Sequence, residues 1–279
     1  MLSWVKVTRG DAPLIVSIPH AGDQLAPEME QRLVSRWLAR KDTDWHVDRL
    51  YDFAPELGAT VIRTTLSRVV IDVNHDPSEK PPHPGQATTE LCPTTTLDGE
   101  PFYRCGLEPK MPEISRRRAA YFDPYHRALT EEIARLRAQH RKIVLFDAHA
   151  MRSTIPRLFK GRLPDFNIGT NDGQSCDPAL TAMVEPICDP TGFLRVTDAR
   201  FKGRWITRHY GNPVEGVHAM QMGLSCRTYL HEPDEDHWDS EAQYDRDNWP
   251  PSYDEGYAAP IRLALHGILD ACIAFASTA

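Results

Sequence analysis

The sequence predicts an α/β fold, one domain over residues 1–279 with a mixed, mainly parallel sheet and helices on both faces. Three observations carry this expectation. Short apolar runs such as Leu14–Ile18 and residues 142–146 are too short for helices and too continuous for half-exposed strands, so they read as strands covered on both sides. Segments of helical spacing alternate with them, the pattern of a largely parallel sheet. Finally, 279 residues suit a single large core, and no internal repeat or linker-like stretch divides the chain.

In chain order, the run Leu14–Ile18 is stopped by Pro19 and delivers His20 at its carboxyl end. Residues 27–40 read as a helix. Residues 44–57 read as another, because Leu50, Phe53 and Leu57 recur at helical spacing and Gly58 follows as a C-terminal stop. Thr60–Thr64 and residues 69–73 are strand-like. The connection 74–112, rich in Pro, Thr, Gly and charge, exceeds an ordinary loop and is expected to cover a site or to lack fixed structure in part. Residues 114–140 have helical composition with a break at Pro124, and the strand 142–146 runs into Asp147-Ala148-His149. Further helices are expected at 177–186 and 260–276, and further strands at 193–197, 216–222 and 226–230. Residues 167–170 and 173–176 read as tight turns.

A net charge of −7 argues against the broad phosphate-binding surface that a nucleic acid requires, so an anionic substrate must meet a local basic cluster. No apolar leader follows Met1, and the apolar stretch near the C-terminus is interrupted by Arg262, His266 and Asp270. These features predict a cytoplasmic protein without membrane contact. Six cysteines without a C-x-x-C pair fit neither a disulfide scaffold nor a structural zinc ribbon, and are expected to be reduced.

The chemistry concentrates at two strand ends. In open α/β sheets the ligand crevice lies beyond the carboxyl ends of the strands, and here two such ends present His20 and His149. A hydrolytic zinc or other divalent metal site takes three His or carboxylate ligands and keeps one position open, so a carboxylate is needed beside them. The cluster running from Asp42 to Asp48 is the nearest candidate. Asp44 and Asp48 lie four apart and would share a helix face, one binding metal and the other orienting a histidine; Asp147 is another such partner. Each histidine taken alone reads more readily as a strand cap, and the acidic run as a solvated helix start; only the set together makes the metal reading an equal rival. Arg68, Arg152 and the basic segment holding Lys202, Arg204, Arg208 and His209 offer forks for a substrate carboxylate, although such a segment is also ordinary on a solvated loop. No nucleophile elbow, phosphate loop, dinucleotide fingerprint or H-E-x-x-H helix occurs, and Cys176 is expected to be a buried structural thiol.

Several co-ordered segments resemble the N-formylglutamate amidohydrolase family, the deformylases of histidine degradation. They are Ser17-Ile-Pro-His20-Ala-Gly22, Asp42-Thr-Asp44-Trp-His-Val-Asp48, Ser67-Arg68-Val-Val-Ile-Asp72-Val-Asn74, Phe146-Asp-Ala-His149, Asn167-Ile-Gly-Thr170, Gly173-Gln-Ser-Cys176, the 201–211 segment and His218-Ala-Met-Gln221. The resemblance runs from about Leu14 to about Glu232. It implies a fold like the zinc-dependent exopeptidases and a metal that activates water against the formyl amide of N-formyl-L-glutamate, a small anionic N-acyl amino acid, giving formate and glutamate. His20 and His149 match metal-ligand positions, and the third ligand falls on Asp44 or Asp48. Arg68, Arg152 and Arg208 would hold the carboxylates or the developing oxyanion, with Lys202 and His209 in support and Asn167, Thr170 and Asn74 as further substrate contacts.

Two positions depart from the family pattern. His75 stands where Asp-Val-Asn is usually followed by Arg, and Gly223 stands where His-Ala-Met-Gln-Met usually continues with Glu. That glutamate is the expected general base, worth about 10²–10⁴ in rate. Its absence leaves three consequences open: another carboxylate such as Glu232 or Glu215 as base, a different N-acyl substrate, or a weakened metal- and amino-acid-binding relative.

Overall fold

A computed structural model describes residues 4–78, 90–232 and 249–278. Among them runs a seven-stranded sheet of order β1-β3-β2-β4-β7-β5-β6, formed by β1 (Val5–Thr8), β2 (Leu14–Ile18), β3 (Thr60–Thr64), β4 (Ile143–Met151), β5 (Phe166–Gly169), β6 (Arg195–Thr197) and β7 (Val217–Ser225). The pairs β2–β3, β2–β4, β4–β7 and β5–β6 are parallel, while β1–β3 and β5–β7 are antiparallel. The sheet is therefore mixed and mainly parallel, as the sequence pattern predicts.

The helices are α1 (Val47–Leu50), α2 (Met111–Arg117), α3 (Asp123–Arg137), α4 (Pro178–Cys188), α5 (Trp205–Tyr210) and α6 (Glu255–Ser277). Side chains alternate across the strands, so each face of the sheet builds its own core. Leu14, Val16, Ile18, Val144, Phe146, Met220 and Met222 pack with α1, α4 and α6. Ile15, Ile143, Leu145, Val217 and Ala219 pack on the other face with Phe122, Tyr125 and Leu129 around α3 and Ile206 of α5. The length and apolarity of α6 would let it cross a membrane, but Ile261, Leu265, Ile268, Leu269, Cys272 and Phe275 are buried in the core, while Arg262, His266 and Asp270 stand off it.

The second face changes character along its length. Near the amino ends it is apolar; toward the carboxyl ends the same row continues as Ser17, Asp147, His149, Gln221 and Gly223. Polar side chains can occupy a buried row only where they find partners, and that half of the face is the floor of the site.

Several elements differ from expectation. Residues 69–73 are all buried, which reads as a strand, yet they form turns: Val70 N donates to Ser67 O, and Asn74 N to Asp72 Oδ1. Side chains here do the work of a ladder partner. Residues 226–230 open with a 3₁₀ turn, Cys226–Thr228, in place of a strand. Residues 27–40 hold only the 3₁₀ turns Pro27–Met29 and Leu38–Arg40. The expected helix 44–57 shrinks to α1 and a 3₁₀ turn, because His46 is left-handed (φ 60°) and Pro55 intervenes, although Gly58 does terminate it (φ 74°). Residues 167–169 belong to strand β5, not to a turn. At Pro124 the helix does not break: the π turn Arg118–Phe122 absorbs the register change and Pro124 sits in the first turn of α3. In the connection 74–112, residues 79–89 lie outside the described part; Thr95 bridges Pro101, and Leu97 joins the cavity wall.

Candidate active site

Proline stops β2 because it cannot donate to the ladder, and the chain turns with His20 facing the sheet's carboxyl edge. Gly22 makes that turn possible: a Cβ there would lie 2.3 Å from the Thr65 carbonyl carbon, a clash no side chain can avoid. The Asp44 backbone N–H donates to His20 O at 3.0 Å, which fixes the acidic segment beside the histidine. Asp44 Oδ2 then accepts from His149 Nδ1 and from Ala150 N, both at 3.1 Å, and lies 3.8 Å from His20 Nδ1. The ligand atoms of His20, Asp44 and His149 all fall within 4.8 Å of one another, and all three residues are buried.

Both imidazoles are held from behind. His20 Nε2 is 2.6 Å from Asp72 Oδ1, and His149 Nε2 is 3.0 Å from Asp147 Oδ2, which also accepts from Asn74 Nδ2 at 2.8 Å. Asp72 Oδ2 in turn accepts from Arg68 at 3.0 Å and from Arg204 at 3.3 Å. A carboxylate behind each histidine leaves its Nδ1 pointing at Asp44, the orientation that metal-binding histidines use. Burial lowers the His20 pKa and so favours the neutral, ligating form. Burial acts the same way on His149, but Asp147 and Asp44 reverse it and raise the pKa to about 9. Burial alone would raise Asp44; the hydrogen bond from His149 and the charges around it hold the carboxylate below its usual range. The donor set, its burial and its outer carboxylates fit a divalent metal ion.

The triad opens into a cavity of about 560 Å³. Arg68, Arg204, Arg208 and Lys202 form one cationic wall. Leu97, Met151, Leu158, Leu163 and Phe201, members of or packed on one hydrophobic cluster, add apolar lining, with Arg157 and Arg200 next to Leu158 and Phe201 in sequence also on the lining. The floor is a row across three strands, where His149 pairs with Gly223 and Gly223 with Asn167.

A family model described as N-formylglutamate amidohydrolase matches residues 12–230. The chain belongs to the N-formylglutamate amidohydrolase family. Among its relatives, an N-formylglutamate deformylase of Pseudomonas aeruginosa is 50% identical over 225 residues, covering 80% of this chain and 84% of the relative. One of Pseudomonas putida is 42% identical over 268 residues, covering 96% and 94%. Two solved structures share the fold. An N-formylglutamate amidohydrolase from Ralstonia eutropha JMP134 has a TM-score of 0.72 at 24% identity, covering 97% of both chains. The gene product Atu2144 from Agrobacterium tumefaciens has 0.70 at 17%, covering 98% of this chain and 95% of that one.

This member of the N-formylglutamate amidohydrolase family gathers only part of the expected set. Asp48 does not join the triad: the left-handed turn at His46 aims it outward, where it pairs with Arg63 at 3.0 Å. Arg152 is buried and donates to Asp42 at 3.1 Å and Asp98 at 2.6 Å, so its charge is committed to fastening the 94–101 loop. Glu232 lies off the cavity lining, with Oε1 and Oε2 accepting from Ser153 N, and Glu215 is exposed on a 3₁₀ turn. Thr170 bonds Asp198 away from the cavity, and His209 stacks on Trp205 at 4.4 Å. Lys202 lines the cavity but pairs with Asp172 at 2.8 Å. Asn167 lines it with Nδ2 donating to Pro164 O and Gly223 O, Arg208 with Nη1 donating to Gly203 O, and Asn74 through its bond to Asp147. Cys176 is buried and its thiol is pushed up to about 11 by desolvation, the setting of a structural thiol.

Sequence reasoning passed over Asp72 and gave Arg204 no role of its own. Asp72 had a signal, an acid placed four residues after Arg68 inside an apolar run, where a buried carboxylate needs partners. Gln221, whose Oε1 accepts from Arg204 N at 2.9 Å, offered none.

Proposed function

We propose that this chain hydrolyses the formyl amide of N-formyl-L-glutamate with the help of a divalent metal, zinc by preference, held by His20, Asp44 and His149. One observation carries the reading: a buried His–Asp–His triad with outer carboxylates opens into a cavity whose wall is cationic. The names of the two Pseudomonas relatives support the substrate. When bound, the metal supplies Lewis acidity that polarises an amide carbonyl and acidifies water.

The chain's own residues do the rest. Asp72 and Asp147 orient the two imidazoles through Nε2. Arg68 and Arg204, anchored on Asp72, and Arg208 one turn further along α5 receive the substrate carboxylates by charge-assisted hydrogen bonds. With glycine at 223, the row beside His149 holds no carboxylate. Asp44 Oδ1 makes no hydrogen bond among the described residues and lies within the triad, so it is the oxygen we assign to take the proton of the attacking water, ahead of the fully buried Asp147 Oδ1.

The test measures formate release from N-formyl-L-glutamate by metal-loaded and chelator-treated protein. Metal-dependent turnover is expected. Its absence, with tight ligand binding retained, would favour the second reading that Gly223 motivates, a binding protein of the same architecture without turnover.

A further inference from the structure

A formyl group presents a single hydrogen at the acyl carbon and gains little from an apolar surface. The cavity nevertheless has one. Leu97, Met151, Leu158, Leu163 and Phe201 belong to or pack against one hydrophobic cluster and also line the cavity. The wall starts at the triad, because Met151 lies two residues past His149 on the same face of β4. The floor beside it carries no side chain at Gly223, and a Cβ built there would fit, in ordinary contact with Asn167 at 3.6 Å. With the amino-acid part held by its carboxylates on Arg68, Arg204 and Arg208, these apolar residues are lining that remains for the acyl side.

We propose that the site accepts N-acyl derivatives of acidic amino acids whose acyl chain is longer than formyl, with the chain laid over Gly223 onto the Met151–Leu158–Leu163 wall. This rests on the hydrolytic reading above and extends its substrate class. The reaction is the same and balances: water adds its oxygen to the acyl carbon, the C–N bond breaks, and the products are a fatty carboxylate and the free amine, which takes up the proton.

The experiment compares kcat/KM for N-formyl-, N-acetyl-, N-butyryl- and N-hexanoyl-L-glutamate on the metal-loaded full chain. Each methylene added up to butyryl is expected to lower KM about two- to fourfold, the yield of burying one CH₂. In L158E, at a half-buried position on the cavity lining, the ratio of kcat/KM for hexanoyl over formyl should fall tenfold or more, with circular dichroism to verify the fold. Cleavage of the formyl substrate without the butyryl and hexanoyl ones would overturn this proposal and leave the deformylase reading intact. An unmoved ratio in L158E would also overturn it. Cleavage of none of the four would overturn both.

Discussion

Replacing Asp147 with asparagine separates the outer carboxylate from the fold that holds it. Asp147 is fully buried, and its Oδ2 accepts from His149 Nε2 at 3.0 Å and from Asn74 Nδ2 at 2.8 Å. Asparagine keeps the volume and an acceptor oxygen, so the change is chiefly one of charge. Two unit charges at that separation attract by about 5–6 kcal/mol at an effective dielectric of about 20. This is a ceiling, since an imidazole that ligates through Nδ1 carries only part of a charge. Loss of an outer-shell partner typically weakens metal binding by about 10- to 100-fold, or about 1.4–2.7 kcal/mol. D147N is therefore expected to raise the metal Kd by that factor. Competition with a chromogenic chelator measures it, and circular dichroism verifies the fold. A Kd within twofold of the parent in a folded protein would refute the assignment of His149 as a ligand held from behind.

D44A should lose stoichiometric metal on dialysis, a loss larger than about 100-fold, whereas D48A should retain it and lose less than about 1 kcal/mol of stability, as an exposed ion pair contributes. Elemental analysis distinguishes the two. G223E should raise kcat at least about tenfold on N-formyl-L-glutamate, because the position faces His149 and a Cβ fits there; an unchanged kcat would show that Asp44 already serves fully as base. Burial pushes His126 down to about 4 while its Nε2 donates to Val73 O, so the fold holds it neutral. Its contribution is present above pH 6.5 and is lost as pH falls from 6.5 toward 4, up to about 3 kcal/mol. Urea midpoints across that window should fall less steeply in H126Q, and equal slopes would contradict the burial argument.

The sequence made the sheet legible because burial on both faces leaves continuous apolar runs, as at Leu14–Ile18 and Ile143–Leu145. It misjudged residues 69–73 and 226–230, where the backbone bonds to its own side chains and neighbouring carbonyls, a choice that composition does not encode. Strand ends single out His20 and His149, although β4 runs on to Met151 and His149 lies within it; the family resemblance is what favours a metal site over two strand caps. Asp44 and Asp48 could not be separated, since helical spacing puts both on one face, whereas the left-handed turn at His46 places them apart. Arg152 and Glu232 looked chemical because they are charged residues near the motifs. What distinguishes them from Arg68 is the partner that holds each one, a tertiary fact.

The row shared by Ile143, Leu145, Asp147, His149 and Met151 has a consequence for how such a chain can vary. One nine-residue strand carries, on one side and in order, the residues that fasten a helix, the acid, the histidine of the triad and the start of the apolar lining. Odd positions face the chemistry and even positions face the α6 core. Deleting a single residue before Asp147 would exchange the two sets, sending the acid and the histidine into the apolar layer and alanines into the cavity. Drift in this strand is thus confined to substitutions, and changes of length must fall in the loops around it.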